Sequence, residues 1–389
     1  MTKSYLSERV ASLKPSGIRR FFEIAATMEE VISLGIGEPD FDSPPAIIAA
    51  GIRSLQEQKT HYTSNRGILP LREALSQKIN DLYGVNYNPE TEIVITVGGS
   101  EALVVACTAI LDPGDEVILP TPCFVSYQGV ISLAGGVSVE VPSKMENGFV
   151  PDPKELEKAI TKKTKAILLN FPCNPTGAVA DKETLIEIGK IAEKYDLVVI
   201  SDEIYDRLVY GEKHVCFAGL PNMRERTILV GGFSKDYAMT GWRIGFACAP
   251  EKIMRGVARV HQYIIMTAPT MAQYGALEGL LYCEEDVNKM VAEYDRRRKY
   301  IVEGLNYIGL PTFEPCGAFY AFPKVDNTGL NDEEFSERLL QEKHVAVVPG
   351  SAFGPGGEGF VRCSYATAFD QIEEALDRID QFVKSLYSK

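Results

Sequence analysis

The sequence predicts an α/β fold built on a largely parallel sheet, with a smaller α+β unit attached. Three observations carry this. Between about residues 92 and 250, short β-branched runs alternate with helical patterns, as strands and crossover helices do in a parallel sheet. Runs such as LVVIS (197–201) are apolar without interruption, which suits strands covered on both faces. Beyond about residue 285 the alternation gives way to long charged helical segments mixed with short strands.

In chain order, the strand EIVITV (92–97) leads into a helix starting near Ser100, SEALVVACTAIL (100–111). DEVILP (115–120), VSVEVP (137–142) and KAILLN (165–170) are further strands, and the helix DKETLIEIGKIAEKYD (181–196) starts at a capping Asp181. LVVISDE (197–203), TILVGG (227–232) and IGFACAP (244–250) complete the sheet. The remainder reads as a charged helix around KMVAEYDRRRKYIVEGL (289–305), the strand GAFYAFPKV (317–325) and the helix DEEFSERLLQEKH (332–344), then the strands VAVVP (345–349) and GFVRCSYA (359–366) and a helix to about 387. At 389 residues the chain exceeds one ordinary core. No Pro/Gly/Ser-rich linker separates its parts, so tightly packed domains sharing a cleft are expected.

Composition narrows the function classes. A formal charge of −13, from 40 Lys+Arg against 53 Asp+Glu, repels nucleic acid and anionic membranes. The longest basic run, Arg296 to Lys299, lies beside Glu293 and Asp295 and reads as a solvated helix face. The N-terminus lacks a signal-like apolar core, and no stretch approaches a membrane span, so a cytoplasmic protein is expected. Eight scattered cysteines without a CxxC pair read as reduced thiols. Four histidines without HExxH give no reason to expect a metal.

Four segments carry chemistry, each with a plain structural reading beside it. Gly99 and Ser100, where a strand turns into a helix, offer bare N–H groups to a phosphate, although glycine at such turns is ordinary. Asn174 in NPTG can donate to a ligand oxygen or serve a turn. Asp202, at the exit of LVVIS, is costly to bury unless it meets a cation, and is also a reasonable helix cap; Tyr205 follows three positions on. Lys235, at the end of ILVGG and eight residues before Arg243, becomes a usable amine if desolvated near cations, while most lysines are simply solvated. All four lie at strand ends of one sheet, where α/β proteins assemble ligand sites. Phosphate donors, a carboxylate for a pyridinium nitrogen, a phenol and an amide for a ring oxygen, and an amine for an aldehyde together describe pyridoxal phosphate. Gly354–Gly359 fits GxGxxG but precedes a strand and contains proline, so it is read as a loop.

The chain resembles the class I aminotransferases of fold type I, especially the prokaryotic aspartate and aromatic amino acid aminotransferases. The likeness runs nearly end to end, through SLGIGEPDF (33–41), HYTSNRGILPLREAL (61–75), VGGSEAL (97–103), PCNPTG (172–177), SDEIY (201–205), SKDYAMTGWRIG (234–245), GAFYAFP (317–323), VVPGSAFG (347–354) and VRCSYAT (361–367). It implies a mostly parallel seven-stranded sheet in a large domain (46–285) and a small domain from 1–45 and 286–389. Lys235 would carry pyridoxal phosphate as a Schiff base and move protons; Asp202 would pair with the pyridine nitrogen; Tyr205 and Asn174 would bond the ring oxygen. Phe124 matches the ring-stacking aromatic, and Gly99, Ser100 and Arg243 the phosphate cup; Ser234 is expected among the cofactor-binding residues without an assigned contact. Gly232 stands where some relatives add a serine hydroxyl, which leaves one phosphate contact fewer. Tyr62 matches a tyrosine reaching the neighbouring subunit's phosphate, implying a homodimer. Arg362 and the Gly37 backbone match the grip on the substrate α-carboxylate. The implied reaction is ping-pong transfer of an amino group from an L-amino acid, aromatic or aspartate-like, to a 2-oxo acid such as 2-oxoglutarate. A β-lyase on cysteine-type substrates is the alternative; a transcription regulator would need a DNA-binding head for which few residues remain. The segment HQYIIMTAPT (261–270) is apolar enough to line the side-chain pocket and favours aromatic or broad specificity.

Overall fold

The computed structural model describes residues 5–11, 13 and 28–387. Within the proposed N-terminal part of the small domain, residues 1–4, 12 and 14–27 lie outside the described residues, as do 388 and 389.

The strands are β1 (Ile32–Ser33), β2 (Ile93–Thr96), β3 (Glu116–Thr121), β4 (Val137–Pro142), β5 (Thr164–Asn170), β6 (Val198–Asp202), β7 (Thr227–Gly232), β8 (Gly245–Cys248), β9 (Tyr320–Ala321), β10 (Val345–Ala346), β11 (Val348–Pro349) and β12 (Val361–Ser364). Seven form the central sheet in the order β2-β8-β7-β6-β5-β3-β4. All its pairings are parallel except those of β8, which opposes both neighbours. Alternation along each strand feeds two cores. Ile93 and Ile95 face one apolar layer with Leu229, while Val94 faces the other with Ile228 and Val230. Burying each such side chain contributes roughly 1.5–3 kcal/mol.

The smaller α+β part draws on both ends of the chain. β1 pairs in parallel with β10, and β12 lies between β11 and β9 in an antiparallel sheet. Ile32 and Leu34 share an apolar cluster with Tyr294, Leu305, Phe335 and Phe382. Tyr205 and Leu208 join it from the central sheet's edge, so the two parts meet in packed side chains.

Several expectations need correction. The helix expected near Ser100 runs Gly98–Ile110, because the Glu101 carboxylate reaches back to accept the Val97 N–H at 2.5 Å. VAVVP is not one strand: it passes between sheets at Val347, with β1 on one side and β12 on the other. GAFYAFPKV is a ladder only at Tyr320–Ala321, with isolated bridges at Gly317, Pro323 and Lys324 to three different partners. The basic run is not wholly solvated. Arg297 and Arg298 turn inward on the Glu284–Ile308 helix, paired with Asp40 and Glu293 and with Asp295 and Glu314. Asp181 caps the Lys182–Lys194 helix through the Thr184 N–H, as read. Among the described residues no helix is long and apolar enough to cross a membrane.

Candidate active site

The carboxyl ends of β5, β6 and β7 open on a cavity of about 650 Å³. Asn170 and Asp202 are the last residues of β5 and β6, and Lys235 follows β7 by three positions. Of the residues singled out above, Gly37, Gly99, Ser100, Phe124, Asn174, Asp202, Tyr205, Ser234, Lys235, Arg243 and Arg362 line this cavity. Tyr62 does not; it is 80 % exposed on the outer surface.

The Lys235 amine reaches into the cavity and donates to the Gly37 carbonyl at 2.6 Å. Burial in surrounding protein, reinforced by the charges of Arg362 and Arg243, brings its pKa down to about 8, so a usable fraction is a neutral nucleophile. Burial pushes the Asp202 carboxyl up to about 6. The Tyr127 hydroxyl opposes this by donating to Oδ2 at 2.8 Å, as does the Ile204 N–H at Oδ1. Asn170 fixes the same corner, donating to the Asp202 carbonyl and accepting the Asn174 N–H, each at 3.0 Å.

At the opposite wall Arg362, on β12, donates through Nη1 to Asn174 Oδ1 at 2.9 Å and through Nη2 to the Gly35 carbonyl at 2.5 Å. Its Nε is buried without a partner. Such a donor is costly to leave unmet, and a carboxylate would meet it. The guanidinium lies 4.5 Å over the Tyr320 ring, and the Tyr320 and Tyr205 hydroxyls are 2.7 Å apart. Two glycines are sterically required here. A Cβ on Gly37 would sit 2.5 Å from the Tyr320 hydroxyl, and one on Gly98, at φ +72°, would sit 2.8 Å from Arg243 Nη2.

Tyr127, Asn170 and Tyr320 escaped the sequence reading. Tyr127 stands three residues after Phe124 in PCFVSY, and Asn170 four before Asn174, so local spacing held a signal; Tyr320, inside an apolar strand, looked like core. No residue of 261–270 lines this chain's own cavity. Tyr263, Ile264, Ile265 and Met266 are 84 %, 51 %, 42 % and 45 % exposed, because the Glu251–Ile264 helix ends at the surface.

Fold and cavity together define a fold type I α/β enzyme with a buried amine facing an anion-holding wall. The model of the aminotransferase class I and II family matches residues 29–379. An aspartate aminotransferase of Pyrococcus abyssi is 48 % identical over 382 residues, covering 97 % of this chain and 98 % of that one. An aromatic-amino-acid aminotransferase of Thermococcus litoralis is 46 % identical over 382 residues, covering 97 % and 98 %. The solved aspartate aminotransferase of Thermus thermophilus with maleate superposes with a TM-score of 0.93 at 41 % identity, covering 97 % and 100 %. The chain belongs to the aminotransferase class I and II family, and its reaction is transfer of an amino group between an amino acid and a 2-oxo acid.

Proposed function

We propose that this aminotransferase holds pyridoxal 5′-phosphate on Lys235 and serves aromatic and aspartate-like L-amino acids, with 2-oxoglutarate as acceptor, in two half-reactions. The observation carrying this reading is the Lys235 amine, with its pKa near 8, in a cavity that also holds Asp202 and a helix N-terminus. The donor set fits the cofactor's groups. Gly99, Ser100, Ser234 and Arg243 surround a phosphate position, Phe124 offers a ring face, Asp202 suits a protonated ring nitrogen, and Tyr205 and Asn174 suit a ring oxygen. When bound, the cofactor supplies an electron sink that acidifies the substrate Cα–H. Lys235 Nζ takes the Cα proton and returns it during the exchange. Arg362, with its unmet Nε–H, orients the α-carboxylate beside Gly37.

Ile36, Leu103, Phe124, Val125 and Tyr320 give the cavity apolar and aromatic walls, which supports aromatic substrates. Lys235, Arg243 and Arg362 are its cations, and each already has a task. We further read the chain as two domains, 46–285 and 1–45 with 286–389. A homodimer is supported by exposed Tyr62 and Tyr263–Met266, whose loops are tied by Asn65 and Thr63 to Met266 and Thr267. The thiols, none in a disulfide, suit a cytoplasmic setting.

The test is a half-reaction screen: each amino acid is added to the purified holoenzyme and the cofactor's visible absorbance is followed. Phenylalanine, tyrosine and aspartate are expected to bleach it, and 2-oxoglutarate to restore it. A protein silent to every amino acid would refute the cofactor reading; aspartate turnover far above phenylalanine and tyrosine would refute the aromatic preference.

A further inference from the structure

We propose that Tyr320 is a positioning residue that couples Arg362 to Tyr205, so that a carboxylate bound at Arg362 is felt at the ring oxygen of the cofactor. The inference rests on the cofactor reading above and assigns a task to a side chain that reading leaves idle.

Tyr320 lies on β9, opposite Ser364 of β12, two residues from Arg362. It is fully buried. Its ring carries the Arg362 guanidinium at 4.5 Å, and its hydroxyl meets the Tyr205 hydroxyl at 2.7 Å. Tyr205 in turn follows β6 and lines the cavity beside Asp202 and Lys235. A single side chain therefore touches both the carboxylate-binding cation and the ring-oxygen phenol. A Cβ at position 37 would sit 2.5 Å from that hydroxyl and would have to displace it.

The direction of the shared hydrogen bond follows from the charges. Burial raises both phenols, but Arg362 opposes burial as the second cause at Tyr320, whereas at Tyr205 its effect falls behind that of Tyr320 itself. The guanidinium stacked 4.5 Å over its ring makes Tyr320 the stronger donor of the pair, so in this proposal Tyr320 donates, the Tyr205 oxygen accepts, and the Tyr205 hydrogen is left for the ligand. Donation in series strengthens each member of such a chain. When a carboxylate neutralises Arg362, Tyr320 becomes a weaker donor, Tyr205 holds the ring oxygen less tightly, and the nitrogen joined to Lys235 becomes more basic. Asp202, Lys235 and Tyr294 are the other titratable groups near this pair, with Glu38 and Arg243 elsewhere on the same cavity; the hydrogen bond of each hydroxyl is to the other.

The experiment compares wild type, Tyr320→Phe and Tyr205→Phe as holoenzymes. The pH midpoint of the bound cofactor's visible absorbance is titrated with and without saturating maleate, a carboxylate that cannot react. Tyr320→Phe keeps the ring under Arg362 and removes only the hydroxyl. Its resting midpoint is expected to rise by about 0.5–1 pH unit, the worth of one hydrogen bond. Maleate is expected to shift the wild-type midpoint upward, and that shift is expected to fall by about half or more in both variants, while maleate affinity changes less than about threefold. A midpoint and a maleate shift that both match wild type would overturn the coupling. So would a loss of maleate affinity or of thermal stability with the shift intact, because that marks a purely structural tyrosine. Wild-type protein that shows no cofactor absorbance would instead sink the cofactor reading itself.

Discussion

Asp202 and Glu203 are neighbours in sequence, as are Lys235 and Asp236, yet each pair divides between two buried polar regions on opposite sides of the strand ends. In front, the cavity leaves its groups unfinished: Lys235 has one carbonyl partner, and Arg362 Nε has none. Behind, the groups close on one another. Glu203 accepts from Ser201 Oγ at 2.8 Å and from the Phe217 N–H at 3.0 Å, and pairs with His214 at 2.5 Å. Tyr83 donates to Asp206 at 2.6 Å, while Glu284 takes both Arg207 and Lys78. The space left there is about 30 Å³, room for roughly one or two waters. The contrast teaches that burial of charge alone does not mark a site. Unfinished bonding beside an open cavity is the better marker, since a ligand there can complete it. Asp236 breaks the pattern behind the strands, with one buried carboxylate oxygen lacking a partner.

The sharpest break of the comparison is Lys235→Ala, expected to lower kcat/KM by more than about 10³-fold with the thermal midpoint held or raised, as steady-state kinetics and a melting curve would read. Glu203→Gln, one residue from the site but facing backward, should instead cost stability, about 3–5 kcal/mol where His214 is charged. Burial works against that charge, yet Glu203 outweighs it and raises the His214 pKa above 6.5. A raised histidine stabilises below its unfolded pKa and loses that contribution as pH rises through the folded one. Denaturant unfolding should therefore show the wild-type advantage largest below about pH 6.5 and shrinking above it. Arg362→Lys should cost about 10–10²-fold in kcat/KM, mostly through KM, because one ammonium cannot replace the fork. Asp236→Asn is the smallest, about 1 kcal/mol of added stability. Burial and the Asp206 charge hold the Asp236 carboxyl well above its usual range, so the wild type is penalised increasingly as pH rises from about 4, where the unfolded residue ionises. An advantage for the variant that did not grow with pH would contradict this assignment.

Much of the front region was legible because strand ends of a parallel sheet converge by topology. Once β5, β6 and β7 are recognised, Asn174, Asp202 and Lys235 must fall near one another. Arg362 was legible only through the family's motifs, since an arginine on a strand has no local signal. Tyr320 was invisible for a different reason: a phenol in an apolar strand looks like core until the tertiary contact to Tyr205 is known. The apolar character of 261–270 says that a surface will be covered, not by what. The backward cluster also lay beyond reach, because Asp206, Glu284 and His214 meet only through packing of the helix that begins at Glu284.

The pairing of β1 with β10 has a consequence for how this enzyme comes into being. Gly35, whose carbonyl holds Arg362 from 327 residues away, and Gly37, which holds Lys235 from 198 away, lie just beyond β1. Segments 327 residues apart in the chain thus meet at one wall of the cavity. A chain made only as far as the end of the central sheet, at β8, still lacks β12 and its Arg362. If Arg362 takes the carboxylate as proposed, that grip is complete only once β12 has docked beside Gly35.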